Sequence, residues 1–236
     1  MLLRRITEHV REQNWFAVFL DFVVVVVVVG IFVALQVTEW NDLRKERKEE
    51  ARLLRQIVHE IDAIIEVRID WIDTYTARQA MRHAAMRVVQ GDDPADALTD
   101  EQCHALWRTH ITFWAYESLT TLDELMATGR LRVIRDEEIR INLLEIDAKQ
   151  EVWAERARFL TSGLIQVVTR YPTLMPRRTG LPQSTVSCNL DLMRENPAFQ
   201  GEVLNNMGRT FGLLSQAATE IERYEAVKKL IEEPTQ

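Results

Sequence analysis

Apolar residues form one almost unbroken stretch near the start of the chain, over residues 15–40: WFAVFLDFVVVVVVVGIFVALQVTEW. As a helix this stretch measures about 38 Å, which exceeds the hydrocarbon core of a bilayer at about 30 Å. Its valine run favours a strand in water, but in lipid only a helix satisfies all the backbone polar groups within one segment. We therefore predict a transmembrane helix over 15–40 after an N-terminal tail over 1–14, with Trp15 and Trp40 as anchors at the two interfaces.

A cleaved signal peptide explains this stretch less well than an anchor. The apolar run is longer than the hydrophobic region of a signal peptide, and no small-x-small cleavage site follows it before the charged segment. We expect the stretch to remain in the protein and to contact the lipid bilayer.

Polar and small residues inside the predicted span indicate association with another helix. On a helical projection, Gln36 falls within about 60° of Asp21, and Gly30 and Ala34 fall on the opposite side. The pair of small residues permits close approach of a second backbone, so we expect a homo-oligomer or a membrane protein partner. Alternatively, Asp21 only snorkels to the interface, where a dry site would also favour its protonation.

After Trp40 the pattern changes to the three- and four-residue spacing of amphipathic helices. A charged opening, RKERKEEAR, precedes an apolar stripe that continues to about Gln90, and the sequence GDDP then ends the helix. This stripe is wider than a strict coiled-coil seam and belongs to a helix bundle. We predict that the bundle helix continues directly from the transmembrane helix.

Local sequence signals place three more long helices in a soluble domain over 41–236. Thr99 with Gln102 has the form of a capping box for a helix from about residue 100 to Thr128, which Gly129 ends. Asp136, after a short extended step, has the form of an N-cap for a third helix that reaches Val168. The last helix starts at the pair Asn196 and Pro197 and ends before Pro234, after one long loop over 172–188. The predicted fold class is all-α, an antiparallel bundle of about four long helices behind an N-terminal anchor.

The composition argues against one class of partner but does not identify an activity. The net charge of −7 gives no attraction to a phosphate backbone, so we expect no nucleic acid partner. Only Cys103 and Cys188 occur, and they form one bridge if the domain lies in an oxidising compartment.

The sequence contains no recognisable catalytic, cofactor or metal motif. Glu101 and His104 form a single ExxH, but a di-iron bundle needs a second such pair and two further carboxylates. Cys103, His104 and His110 can lie near one helix face, yet no CxxC or HExxH supports a zinc site. We predict no catalytic residues, no cofactor and no metal, and we expect the tryptophans on the apolar stripes to pack in the core.

Two stretches resemble a family of bacterial single-span membrane proteins that carries only a domain-of-unknown-function label. The sequence from Gly30 to Lys45 matches that family's GIxxALQxxxWNxxRK anchor motif, with Asp21 at the position of the family's acid. The segment over 121–144, TLDELMATGRLRVIRDEEIRINLL, is similar to the family's helix, Gly turn and helix. The resemblance implies an anchored helical domain in the bacterial inner membrane with its N-terminus inside the cell. It implies no activity.

Orientation and function follow from weighing these signals together. A plain count of Lys and Arg places the C-terminal side in the cytoplasm, whereas the family resemblance places that domain outside it, and we expect the extracytoplasmic orientation. The leading hypothesis is a membrane-anchored interaction, scaffold or sensory module without catalytic activity. The alternative is an auxiliary single-span subunit of an ion-driven complex that uses Asp21, because FLDFVVVVVVVGIFV loosely resembles the acid-bearing span of proton-motor stator partners.

Overall fold

The computed structural model describes residues 15–94, 96–114, 117–178 and 185–233, with only the backbone described for residues 15–18, 21, 177–178 and 185–186. The chain divides into two compact units, Met1–Leu53 and Leu54–Gln236. Helices make up most of the described residues, which confirms the all-α fold class. The helices are α1 (Trp15–Gln90), α2 (Asp100–Trp107), α3 (Thr120–Ala127), α4 (Glu137–Ser162), α5 (Val167–Arg170), α6 (Leu190–Arg194) and α7 (Pro197–Glu232), with 3-10 turns at Arg108–His110 and Leu131–Val133 and two-residue strands β1 (Arg177–Arg178) and β2 (Thr185–Val186).

In the first unit, α1 carries an apolar surface that no described residue of that unit covers. The described apolar side chains from Phe19 to Val37 are between 38% and 65% exposed. The described helix is long and apolar enough to cross a membrane, with a mean hydropathy of 2.5 over its most apolar window and no residue of that window buried. Such a surface is stable in lipid but costly in water.

The charged turns that follow the apolar surface are held by local pairs on α1. Lys45 contacts Asp42 at 3.0 Å, and Arg52 contacts Glu49 at 2.8 Å, each pair three residues apart. These pairs are exposed to solvent, so they stabilise the helix only weakly.

In the second unit, α7 runs antiparallel both to the 54–90 part of α1 and to α4. Contacts on either side of α7 occur in reversed residue order, which fixes these directions. The contacts are Lys228 to Asp62, Arg68 to Glu220 and Gln79 to Met207 on the α1 side, and Gln150 to Tyr224, Gln216 to Trp153 and Arg209 to Phe159 on the α4 side.

The predicted second long helix is broken, so the prediction of one helix from about residue 100 to Thr128 was wrong. Its capping box at Thr99 and Gln102 is confirmed, but α2 ends at Trp107 and helical structure resumes only at Thr120 in α3. The interrupted segment still runs back along α1 in the antiparallel direction. Thus a broken element occupies the place of a bundle helix.

Side chains of α1 explain the break, because they bind backbone groups that a continuous helix would use internally. The Trp71 Nε1 donates to the Phe113 carbonyl at 2.6 Å, and the Phe113 N–H donates to the Tyr75 hydroxyl at 2.9 Å. Arg82 donates to the Arg108 carbonyl at 2.8 Å. These partners come from 26 to 42 residues away, so tertiary contacts override the local helical pattern.

The third helix also ends early, at Ser162, where the pattern predicts helix up to Val168. The buried Asn206 side chain accepts from the Ile165 N–H at 2.9 Å and donates to the Ile165 carbonyl at 2.8 Å. An amide side chain that satisfies both backbone groups of one residue competes with helix continuation there. The N-cap prediction at Asp136 is confirmed, since its carboxylate accepts from two backbone N–H groups.

Glycine and proline signals were reliable at the other helix ends. Gly129 has φ +65°, and the Arg130 N–H donates to the Leu125 carbonyl, as expected of a C-terminal cap. Gly91 has φ +83° directly after α1. Asn196 caps α7 and Pro197 occupies its first turn, as predicted. The loop over 172–188 contains the β1–β2 pair, with Arg177 opposite Val186.

Candidate functional site

The residues predicted for membrane-helix association lie along α1 in the first unit. Gly30, Ala34, Gln36 and Trp40 are all exposed, and no heavy atom lies within 4 Å of a Cβ added at Gly30. Space for close approach of a second helix therefore exists at Gly30, and association through this surface stays a prediction.

Three side chains add detail to the sequence predictions for this unit. The Thr38 hydroxyl donates to the Ala34 carbonyl at 2.9 Å, and the Arg44 guanidinium lies 5.7 Å from the centre of the Trp40 ring. The side chains of Asp21 and Trp15 lie outside the described residues, although both backbones are helical.

The candidate metal ligands from the sequence are not grouped as a metal site requires. Cys103 is bonded to Cys188, with 5.7 Å between their Cα atoms. Glu101 and His104 are exposed on α2. Within the described ranges no group of three or more His, Cys, Asp or Glu side chains is placed to hold a metal ion.

His104 and Glu101 instead border a pocket of about 330 Å³ between α1 and α2. Its lining combines basic residues with small or apolar ones. Residues within 77–82 of α1 supply one part of the lining, and residues within 101–108 supply the rest. The lining residues are Ala77, Arg78, Met81, Arg82, Glu101, His104, Ala105 and Arg108.

Arg82 supplies a buried positive charge beside this pocket. It is 1% exposed, and it donates to the Gln79 side chain at 3.1 Å as well as to the Arg108 carbonyl. Its Nε has no hydrogen-bond partner, and no carboxylate of a described residue forms an ion pair with it. A buried charge without a counter-charge is costly, so this arrangement needs a compensating group.

Arg68, the second buried arginine, has a carboxylate as its counter-charge. Arg68 contacts the Glu220 carboxylate at 2.9 Å, and both side chains are at most 4% exposed. The Arg68 guanidinium also lies 4.5 Å from the centre of the Trp114 ring, and Gln216 donates to the other Glu220 oxygen at 2.8 Å. Arg68 therefore has a counter-charge within the core, which Arg82 lacks.

The positive charges around the pocket, together with burial, change the pKa values of two of its side chains. Burial, followed by the nearby Arg78 and then Arg108, lowers the pKa of Arg82 to about 10, although the Coulombic effect of Tyr75 opposes them. Partial desolvation of the otherwise exposed His104 ring, and then Arg108, lower the pKa of His104 below its ordinary 6.5. At neutral pH Arg82 thus stays charged and His104 is mainly neutral, and the guanidinium groups of the lining attract anions.

A second, larger hollow lies between residues 112–114 and α4. Its volume is about 570 Å³, and its lining includes Phe113, Trp114, Ala157 and Thr161. Its charged lining residues, Glu151 and Arg158, have opposite signs, so it lacks the excess charge that distinguishes the arginine pocket.

Sequence reasoning missed the arginine pocket, although one signal was present. Arg82 lies seven residues after Tyr75 and four before Met86, on the stripe whose other members are mainly buried. A charged residue at a core position requires a partner, but its partner cannot be identified from spacing within one helix. Arg108 comes from the segment that was predicted as uninterrupted helix, so its position opposite Arg82 was not foreseen.

Comparisons with protein-family models, with curated proteins and with solved structures give no match for the chain. The resemblance carried by the GIxxALQxxxWNxxRK motif stays a prediction.

Proposed function

We propose that the protein is a membrane-anchored helical interaction, scaffold or sensory module without catalytic activity, in the inner membrane of a bacterium. The observation that carries the proposal is the uncovered apolar surface of α1, which belongs to the same chain as an independently packed helical unit. One unit suits lipid and the other suits water, as expected of an anchored domain.

The disulfide supports an extracytoplasmic location for the second unit. Disulfides persist in the periplasm and outside the cell, whereas the cytoplasm keeps most thiols reduced. Cys103 and Cys188 are 85 residues apart in sequence, and in the chain-entropy account a bridge closing a loop of this length contributes about 4 to 5 kcal/mol. The unit therefore depends on an oxidising environment for a large part of its stability.

The pocket chemistry supports binding in preference to catalysis. Guanidinium groups stay protonated and bind anions, but they do not act as bases at neutral pH. Among the described residues that line the pocket, no Ser, Thr or Cys nucleophile accompanies His104. Its side chains are suited to recognising a ligand, which is what a sensory module requires.

A protease test on spheroplasts checks the location, with the full chain carrying a C-terminal tag. We expect added protease to remove the second unit and leave a membrane-embedded N-terminal fragment, while a cytoplasmic marker protein stays intact. A non-reducing gel should show a faster-migrating form that thiol reduction abolishes. Protection of residues 41–236, together with free thiols in intact cells, would reject the extracytoplasmic location.

A further inference from the structure

Two chemically different kinds of side chain line the arginine pocket. Arg78, Arg82 and Arg108 supply positive charge, and Ala77, Met81 and Ala105 supply small or apolar contacts. Glu101 is the acidic group in the lining and lies at the exposed rim. Excess positive charge therefore lies next to apolar surface in a space suited to a small molecule.

We propose that this pocket binds a small organic carboxylate, with its charged group toward the arginines and its carbon body against Ala77, Met81 and Ala105. The inference rests on the proposed function and deepens it, because it names the class of ligand that a sensory module would detect. The bound anion supplies the counter-charge that no described residue provides to Arg82.

Arg108 is the side chain best placed to contact the ligand directly. It is half-buried, and its guanidinium forms no hydrogen bond or ion pair with another described residue. Its planar fork matches both oxygens of a carboxylate. Arg82 acts differently, because its Nε is sealed from solvent and its other nitrogens are bound, so it contributes charge beside the pocket.

The size and lining of the pocket favour a small carboxylate over other anions. A volume of about 330 Å³ excludes folded partners and extended polyanions, and the chain's net charge of −7 repels the latter. Inorganic phosphate would satisfy the arginines but leave the surfaces of Met81 and the two alanines without an apolar partner. An organic acid satisfies both kinds of side chain.

Calorimetric titration of the full-length, disulfide-bonded protein in detergent micelles tests the inference. The probes are butyrate, succinate and benzoate, with butyramide as the uncharged match for butyrate and inorganic phosphate as the competing anion. Arg108→Gln removes the proposed direct contact but keeps the backbone carbonyl to which Arg82 donates. Arg87→Gln is the control, because Arg87 is an exposed arginine on α1, the helix that supplies Arg78 and Arg82, and lies outside the lining.

We expect saturable binding of at least one acid and none of butyramide. Arg108→Gln should raise the Kd about tenfold or more, since charge-assisted hydrogen bonds are lost, while Arg87→Gln should leave it unchanged. In NMR titrations of His104, the bound acid should raise the imidazole pKa by offsetting the charge of Arg108.

Four results would overturn the inference: no saturable binding of any acid, equal binding of butyramide, tighter binding of phosphate, or equal weakening in both variants. None of these measurements depends on which side of the membrane the unit occupies. The protease test of the location and the titration of the pocket can therefore give independent results.

Discussion

At the residue scale, the two buried arginines of α1 show how one residue type serves two purposes. Arg68 is neutralised by Glu220, whereas Arg82 is held by an amide and a carbonyl that carry no net charge. Both positions fall on the apolar stripe, so the sequence identifies them as unusual. It does not distinguish them, because the carboxylate that pairs with Arg68 lies 152 residues away.

Replacing Glu220 by Gln should destabilise the second unit strongly. The variant keeps the shape of the side chain but leaves Arg68 buried without its counter-charge, which costs about 3 to 5 kcal/mol when one partner of a buried pair is lost. Glu225→Gln is the matched control, because Glu225 is an exposed acid on the same helix. Denaturant unfolding of both variants measures the difference, and equal midpoints would show that the pair has no such role.

His104 should make the stability of the second unit sensitive to mild acid. Its pKa in the folded protein is lowered by partial desolvation and by Arg108, so below the ordinary value of 6.5 the unfolded chain takes up the proton first. Stability should therefore fall as pH drops through and below 6.5, and His104 should contribute no pH dependence above that value. His104→Gln should reduce the loss between neutral and acid pH, measured by unfolding at several pH values. An unchanged pH profile in the variant would contradict this assignment.

At the element scale, helix caps that depend on neighbouring residues were predicted correctly. Helix breaks that depend on contacts with distant residues were not predicted. The caps at Thr99, Asp136 and Asn196 involve a side chain and backbone groups two or three residues away. The breaks after Trp107 and Ser162 depend instead on α1 and α7, whose contribution is invisible in a local pattern. The same limit explains why the anchor was readily identified and the arginine pocket was missed.

Gly129 tests whether a local cap contributes to stability. A Cβ added there meets no atom within 4 Å, so the cost of Gly129→Ala comes only from the left-handed backbone at φ +65° and should be about 1 kcal/mol. Gly208→Ala is a control of opposite sign. Gly208 also has open space but lies inside α7, so alanine there should stabilise by about 0.5 to 1 kcal/mol. Thermal unfolding should separate the two variants, and a shift in the same direction would refute the backbone argument.

At the scale of the whole molecule, the two units place different demands on their surroundings. The first exposes an apolar helix that requires lipid or protein around it, and the second is closed by a disulfide that requires an oxidising compartment. The location that we propose, an inner membrane with the second unit in the periplasm, would meet both demands. The small residues of the membrane helix bear on its oligomeric state.

We predict that full-length chains associate through the membrane helix. Gly30 and Ala34 are one turn apart, and the open space at Gly30 allows a second backbone to approach closely. Gly30→Ile should weaken association by filling that space, whereas Val24→Ile is the control, because residue 24 lies about 120° around the helix from Gly30 and about 60° from Asp21. Light scattering in mild detergent measures the oligomer size of each variant.

Asp21 extends this prediction to the opposite side of the helix. A carboxylate inside the hydrocarbon costs about 2 to 3 kcal/mol on insertion scales, and burial between helices relieves that cost through polar partners. Asp21→Asn keeps the shape and the capacity for hydrogen bonds but removes the charge, so a charge-dependent contact should weaken and the oligomer should become smaller. If wild type is monomeric and neither Gly30→Ile nor Asp21→Asn changes the scattering mass, association through this helix is wrong, and Asp21 is then an interfacial residue that snorkels toward the lipid headgroups.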